Sequence, residues 1–127
     1  MKKVLNAIIV AVTMFVMCSF STAGPGDGQT SCQVYGAPGY TATVTYRVIT
    51  PANDGSLQWN LELNKANTTG KTIYVVVQLR NANGCVIESE TAHFDYCQNC
   101  TKSWGKFETR GSKGEAYYVT INSASCN

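Results

Sequence analysis

Apolar and polar residues alternate with a period of two through several parts of the chain. The clearest case is residues 57–64, where Leu57, Trp59, Leu61 and Leu63 alternate with polar residues without a fault. Successive side chains of a β-strand point to opposite faces, so this pattern predicts a strand with one buried face.

Two other segments repeat the alternation. Residues 73–80 place Ile73, Val75, Val77 and Leu79 on one face, and the other face is itself partly apolar, which favours a central position in a sheet. The alternation in residues 40–48 predicts an earlier strand in the chain. Four of its residues are directed inward: Ala42, Val44, Tyr46 and Val48.

Further short strands are expected at residues 85–91, 103–109 and 116–124, and residues 92–96 can continue the first of these as an extended piece. Asp54-Gly55 and Asn83-Gly84 mark turns between strands, and Asn83-Gly84 matches a two-residue type I′ hairpin loop. No stretch after residue 23 has a helical period. Six or seven short strands separated by turns predict an all-β fold, a small antiparallel β-sandwich. Its core is expected to contain Leu57, Trp59, Leu61, Ile73, Val75, Val77, Val119 and Ile121.

This arrangement resembles the immunoglobulin-like and fibronectin type III-like β-sandwiches. The resemblance extends over residues 40–124 and is carried by Leu57-x-Trp59-x-Leu61, the turn at 64–70, the Asn83-Gly84 hairpin and the closing strand at 116–121. The residue two before Cys97 is an aspartate, where a true immunoglobulin domain has a tyrosine two before its second cysteine. The resemblance therefore implies an architecture and no particular activity.

The first 23 residues have the pattern of a secretory signal peptide. Lys2 and Lys3 precede an apolar run that ends near residue 20, and Ser21-Thr22-Ala23 supplies small residues for cleavage. The apolar run is short for a membrane span of about 20 residues, which argues against a permanent anchor. Once the signal peptide is removed, no stable membrane insertion is expected. The expected organisation is a signal peptide at 1–23, a flexible leader at 24–31 and a β-sandwich domain at 32–127.

Export to the periplasm or the cell exterior is the location that this pattern predicts. Cys18 lies where a bacterial lipoprotein carries its acylated cysteine, but Met17 stands where such a site has a small residue. A lipid anchor at Cys18 is therefore the minority alternative.

Charge argues against a nucleic-acid partner. Removal of Lys2 and Lys3 leaves eight basic and eight acidic residues, so the exported chain has no net charge. Proteins that bind nucleic acids concentrate basic residues to neutralise phosphates. We therefore expect no nucleic acid among the partners.

Five cysteines follow the signal segment: Cys32, Cys85, Cys97, Cys100 and Cys126. An oxidising compartment favours two disulfides, and an odd number leaves one cysteine over. A Cys32–Cys126 bond would close a long loop and stabilise most on entropic grounds. Cys85 is then expected to pair with Cys97 or Cys100, which it can reach if the chain folds back after Thr91. The sequence alone leaves the connectivity open.

His93, Asp95 and Cys97 are spaced so that all three side chains share one face of an extended strand. This set suggests a metal-dependent enzyme or a small secreted hydrolase, with Cys100 as a further ligand. One Cys-x-x-Cys pair is a weak metal signal, and no strand-to-helix context supports a redox role for it. We therefore expect no cofactor, no metal and no catalytic residues, and keep the enzyme as the alternative.

Aromatic residues favour binding over chemistry. Trp104 lies among polar residues, and with Tyr74 and Tyr118 it would form a platform for sugar rings or a protein partner. The other interpretation, which we favour, is that Trp104 covers one end of the sandwich. The leading hypothesis is an exported, non-enzymatic module that binds a protein or a glycan, and a subunit of a surface or fibre assembly is a further alternative.

The carboxylates Glu88 and Glu90 share one strand face, and an exposed polar edge of a sheet explains this placement.

Overall fold

A computed structural model describes residues 29–127 of the chain. The described part is all-β and contains eight strands and no helix. In chain order they are β1 (Ser31–Gln33), β2 (Thr41–Val44), β3 (Val48–Ile49), β4 (Gln58–Leu63), β5 (Ile73–Arg80), β6 (Val86–Phe94), β7 (Lys102–Lys106) and β8 (Tyr117–Cys126). The predicted signal peptide at 1–23, residues 24–28 of the leader and Cys18 lie outside the described residues.

The strands form two antiparallel sheets of four strands each. The first sheet has the order β1-β2-β4-β7 and the second the order β3-β8-β5-β6. The prediction of an antiparallel all-β fold is confirmed, with eight strands in place of six or seven. The central position predicted for β5 is also confirmed, because it pairs with β8 on one side and β6 on the other.

The inward faces of both sheets contribute to one hydrophobic core. The eight core residues predicted from the alternation are all buried in this cluster, which confirms the strand register on which the fold prediction depended. Leu57, Leu61, Val75 and Val77 are completely inaccessible to solvent. Among residues 29–127 no helix has the length and apolar character to cross a lipid bilayer.

The strand predicted at residues 40–48 is divided between the two sheets. The N–H of Thr45 donates to the Asn60 carbonyl at 2.9 Å in the first sheet, whereas the Arg47 carbonyl accepts from Val119 at 2.8 Å in the second. The chain therefore crosses from one sheet to the other at Tyr46. The predicted inward positions of Tyr46 and Val48 are wrong, because Tyr46 is 62% exposed and Val48 is 49% exposed.

The turn between β5 and β6 differs from the predicted type I′ loop. A type I′ turn needs positive φ at both central residues, but among the described residues positive φ is confined to glycines, and here to Gly84 with φ of 83°. The N–H of Gly84 donates to the Asn81 carbonyl at 3.0 Å, and the Asn81 side chain accepts from the N–H groups of Asn83 and Cys85. This is a type I turn completed by a left-handed glycine, and the register shifts at the start of the hairpin.

Residues 29–31 belong to the folded domain, which corrects the prediction of a flexible leader up to Ser31. The carbonyl of Gln29 accepts from Ile121 at 2.9 Å, and that of Thr30 accepts from Val44 at 2.7 Å. Farther on, Tyr35 forms a parallel bridge with Ser125. The N-terminal segment thus bonds to both sheets and lies beside the C-terminal strand β8.

Trp59 packs against the one residue of β7 that has no side chain. It stands opposite Gly105 in the β4–β7 ladder, and a Cβ atom placed on Gly105 would overlap the Trp59 ring. Trp59 is only 7% exposed, so its indole fills the core beneath β7. Because side chains alternate along a strand, the inward position of Gly105 directs Trp104 outward.

The two tryptophans should differ sharply in their effect on stability. Trp59→Ala is expected to lower the free energy of unfolding by about 3–5 kcal/mol through lost burial and a cavity. Trp104→Ala, the matched control on the outer face, should change it by no more than about 0.5 kcal/mol. Urea unfolding followed by circular dichroism measures both, and equal stability of the Trp59 variant and the unmodified protein would contradict the core assignment.

Candidate functional site

A shallow cleft of about 240 Å³ lies on the outer face of the first sheet. Tyr46 and Trp104 border it from opposite sides, and both are strongly exposed, at 62% and 65%. The rest of its lining is Thr45, Asn60, Leu61, Lys102 and Ser103.

Strand pairing builds the floor of this cleft. Asn60 of β4 stands directly opposite Trp104 of β7 and is joined on its other side to Thr45 by the backbone hydrogen bond described above. The Asn60 Oδ1 accepts from Gln58 Nε2 at 3.2 Å, while its Nδ2 bonds to no other residue of the described chain. An amide side chain therefore lies in the floor of a cleft that two exposed aromatic residues also line.

The three aromatic residues of the predicted platform lie on opposite outer faces of the molecule. Trp104 belongs to the first sheet, whereas Tyr74 on β5 and Tyr118 on β8 face outward from the second. Tyr118 stands opposite Arg80, at the other end of β5 from Tyr74. The structure does not bring these three residues together, and binding by any of them remains a prediction.

Trp104 does not cover an end of the sandwich, which corrects the interpretation favoured from sequence. It is exposed in the middle of β7 and is accompanied by Tyr46. The sequence analysis missed Tyr46 because the apolar alternation continues through it. The strand ends before this point, and two features of the sequence indicate it. They are the charged Arg47 and the two consecutive apolar residues Val48 and Ile49, which interrupt the alternation.

Two members of the His93, Asp95 and Cys97 set approach each other. His93 Nε2 lies 3.7 Å from Asp95 Oδ2, and both side chains are more than half exposed. Asp95 Oδ1 also accepts from the Thr72 hydroxyl at 3.2 Å. Cys97 is bonded to Cys100, so its sulfur is held in a disulfide. Within residues 29–127 no group of three or more histidine, cysteine, aspartate or glutamate side chains is placed to hold a metal ion.

The cysteine pairing differs from the predicted one. The structure joins Cys97 to Cys100 and leaves the thiols of Cys32 and Cys126 free. Tyr35 stands opposite Ser125, so Cys32 and Cys126 are offset by about four residues, or roughly 13 Å along the strands, well beyond disulfide reach.

Cys85 lies at the opposite end of β6 from the Cys97–Cys100 bond. The prediction that it pairs with one of them assumed that the chain folds back after Thr91, whereas β6 continues through nine residues to Phe94. Nine residues of strand span about 30 Å. The Cys97–Cys100 bond follows a strand and lies in a turn, without the strand-to-helix context of thiol oxidoreductases.

Glu88 and Glu90 point toward the interior side of β6, on the same face as Ala92 and Phe94. They are half-buried at the edge of the core and are therefore not the exposed polar edge inferred from sequence. The Glu88 carboxylate accepts from the N–H of Glu108 at 2.8 Å and from the N–H and hydroxyl of Thr109 at 2.8 and 2.7 Å. Glu88 thereby fastens the segment after β7 to the edge of the second sheet.

The two carboxyl groups titrate differently. Partial burial raises the pKa of Glu88, but hydrogen bonds from Thr109 and Glu108 outweigh this effect and hold the pKa below its usual value. The pKa of Glu90 is raised first by its hydrogen bond with Glu88, and further by desolvation and the negative charges of Glu88 and Glu108. Glu90 is thus the group that holds a proton more readily.

No family model, curated protein or solved structure matches the chain. The fold and the cleft define the class of the protein: it is an all-β domain of two antiparallel four-stranded sheets with an aromatic cleft on one outer face.

The cysteine assignment predicts a specific peptide map. Non-reducing digestion should recover Cys97 linked to Cys100. Iodoacetamide applied to the folded protein should label Cys32 faster than Cys126, because Cys126 is only 9% exposed. A peptide containing a Cys32–Cys126 bond would contradict the strand alignment at the N-terminus.

Replacing Glu90 by glutamine should raise stability at pH 7. The folded state binds the Glu90 proton more tightly than the unfolded chain, whose ordinary value is 4.5, so stability is lost as the pH rises from that value through the folded pKa. Glu90→Gln removes this loss, and the gain should vanish at pH 3. Unfolding free energies from urea titrations between pH 3 and pH 8 measure it, and equal stability of the two proteins at pH 7 would contradict the carboxyl pair.

Replacing Glu88 by glutamine should have the opposite effect. Its lowered pKa contributes stability above the unfolded value of 4.5 and loses it as the pH falls through the folded pKa. Glu88→Gln should therefore cost about 1–2 kcal/mol at pH 7, because the charge on three hydrogen bonds is lost. The same titrations apply, and a variant as stable as the unmodified protein at pH 7 would show that Glu88 does not fasten residues 108 and 109.

Proposed function

We propose that the chain is an exported, non-enzymatic β-sandwich that binds a glycan on the outer face of its first sheet. The observation that carries the proposal is the pair of exposed aromatic residues, Tyr46 and Trp104, on either side of a cleft with an amide in its floor. Tryptophan is on average one of the more buried residue types, so an indole left 65% exposed suggests a surface that a ligand covers.

The chemistry of the cleft suits a sugar ring. The C–H faces of a pyranose pack against aromatic rings, and its hydroxyls exchange hydrogen bonds with amide and hydroxyl groups. Asn60 supplies the amide, while Thr45 and Ser103 supply hydroxyls. Tyrosine and tryptophan also combine a large contact area with a polar tip, which suits a ligand that is apolar on its faces and polar at its rim.

A protein ligand is less well supported by this surface. A specific protein interface covers about 800 Å² on each partner, with a core poorer in charged residues than its rim. Around the cleft the outer face of the first sheet carries polar and charged residues, among them Thr43, Gln58, Glu62 and Lys106. A small aromatic cleft in a polar surround favours the glycan.

Export is part of the proposal. The signal pattern at residues 1–23 supports it, and the Cys97–Cys100 bond is consistent with an oxidising compartment. An immunoglobulin-like architecture is also part of the proposal. The two antiparallel sheets support it, as does the N-terminal segment that bonds to both of them.

The alternatives have less support. A hydrolase based on His93, Asp95 and Cys97 would need a free Cys97 thiolate, and that sulfur is bonded to Cys100. A fibre subunit would need a strand edge open to pairing. The two longer edge strands carry charges that hinder edge-to-edge pairing, namely the inward carboxylates Glu88 and Glu90 on β6 and the outward lysines Lys102 and Lys106 on β7.

A glycan array probed with the full-length protein tests the proposal. Trp104→Ala should weaken binding to the best glycan at least about tenfold, because a central stacking residue is lost, and Tyr46→Ala should weaken it as well. Tyr74→Ala is the matched control, since it removes an exposed tyrosine from the opposite face. Absence of any bound glycan, or an equal loss in the Tyr74 variant, would contradict the proposed site.

A further inference from the structure

A row of three exposed residues runs along the edge strand β7. Lys102, Trp104 and Lys106 alternate with the half-buried Ser103 and Gly105, so all three face outward from the first sheet. Successive members of this row are about 7 Å apart, as alternate residues of a strand are. The exposed Trp104 of the cleft therefore has an exposed lysine on each side of it along the strand.

Neither lysine is neutralised by an ion pair within residues 29–127. The ion pairs recorded there join His93 to Asp95 and Arg110 to Asp54. The carboxylate facing Lys102 across the ladder is Glu62, while Lys106 stands opposite the uncharged Gln58.

Lys106 also acts at longer range on Asp54. The pKa of Asp54 is lowered chiefly by hydrogen bonds from Ser56, and to a smaller degree by the charges of Arg110 and Lys106. Asp54 is thus engaged mainly by other groups. The row therefore presents two lysines that form no ion pair within residues 29–127, with Glu62 opposite Lys102 in the ladder.

We infer that the glycan bound at this site is anionic, a saccharide chain carrying carboxylate or sulfate groups that lies along β7. This inference rests on the proposed function, because it assigns the chemical class of the ligand to the same cleft. One ring stacks on Trp104, and the anionic groups of the neighbouring rings meet Lys102 and Lys106. Asn60 contacts the stacked ring from the floor of the cleft, and Tyr46 contacts it from the side away from Trp104.

The charges distinguish this ligand from a neutral glycan. A lysine ammonium is strongly hydrated, and removing its water costs free energy. A hydrogen bond to a neutral hydroxyl offsets little of this cost. A carboxylate or sulfate adds a Coulomb attraction that steers association and weakens with salt.

A nucleic acid fits the site less well. Nucleic-acid grooves combine several stacking rings with a basic excess that tracks many phosphates. Here the eight basic residues that follow the signal segment are matched by eight acidic ones, and the row contains one indole and two lysines.

Calorimetric titration of the full-length protein with oligogalacturonate and with its methyl ester tests the inference. The charged oligomer should bind at least about tenfold more tightly at low salt, and only its affinity should fall as the ionic strength rises. Lys102→Gln and Lys106→Gln should each weaken its binding about two- to fivefold and leave the ester unaffected. Lys71→Gln, an exposed lysine in the loop before β5, is the matched control and should change neither.

Two further probes complete the experiment. A sulfated galactan that binds in a Lys102- and Lys106-dependent way, with or without oligogalacturonate, supports the anionic class and identifies which group the site takes. Equal affinity for acid and ester, or recognition of neutral glycans alone, overturns the inference and leaves the glycan proposal standing. Binding of an oligodeoxythymidylate as tight as that of the acidic saccharide also overturns it. If no saccharide binds, both this inference and the proposed function fail.

Discussion

The packing of the Trp59 ring against the backbone of Gly105 is the contact on which the candidate site depends. No other residue type at position 105 leaves room for the ring, and the contact fixes which face of β7 is turned inward. Once Gly105 is inward, the alternation of the strand turns Trp104 and its two flanking lysines to the outer face. A core requirement thus determines the composition of an exposed surface.

The four edge strands of the two sheets differ in length and in the charges they carry. These differences limit where a ligand or partner can approach. β1 and β3 are edge strands of three and two residues, too short to template pairing with another chain. The long edge strand β6 turns two carboxylates inward, and Glu88 uses its charge to hold the segment after β7. β7 is the edge that combines a free backbone side with an aromatic and basic outer face, which is consistent with the placement of the ligand along it.

The alternation of apolar residues was sufficient to predict the core, because period-two burial is a property of each strand by itself. β4 and β5 matched the prediction, down to the inward face of each. The errors arose where the outcome depends on contacts distant in sequence. The change of sheet at Tyr46 and the continuity of β6 are both decided by pairing partners that the local pattern does not specify.

The same limit explains the candidate site. Trp104 was recognisable as an aromatic residue among polar neighbours, but its companion was not, because Tyr46 becomes exposed only through the crossover between sheets. Tyr74 and Tyr118 were grouped with it on sequence grounds, and they fall on the other outer face because β5 and β8 belong to the second sheet. The predicted Cys32–Cys126 bond was inferred from loop-closure entropy alone. In the structure the alignment of the strands keeps Cys32 and Cys126 apart.

The most direct test of the binding surface is to map it by nuclear magnetic resonance, with isotope-labelled protein titrated with the acidic oligosaccharide. The account predicts that the largest shift changes occur at the Trp104 indole N–H, the Asn60 side-chain amide and the backbone amides of β7. Resonances of β5 and β6 should stay unchanged. Shift changes centred on Tyr74 or Tyr118, with none at Trp104, would contradict the account.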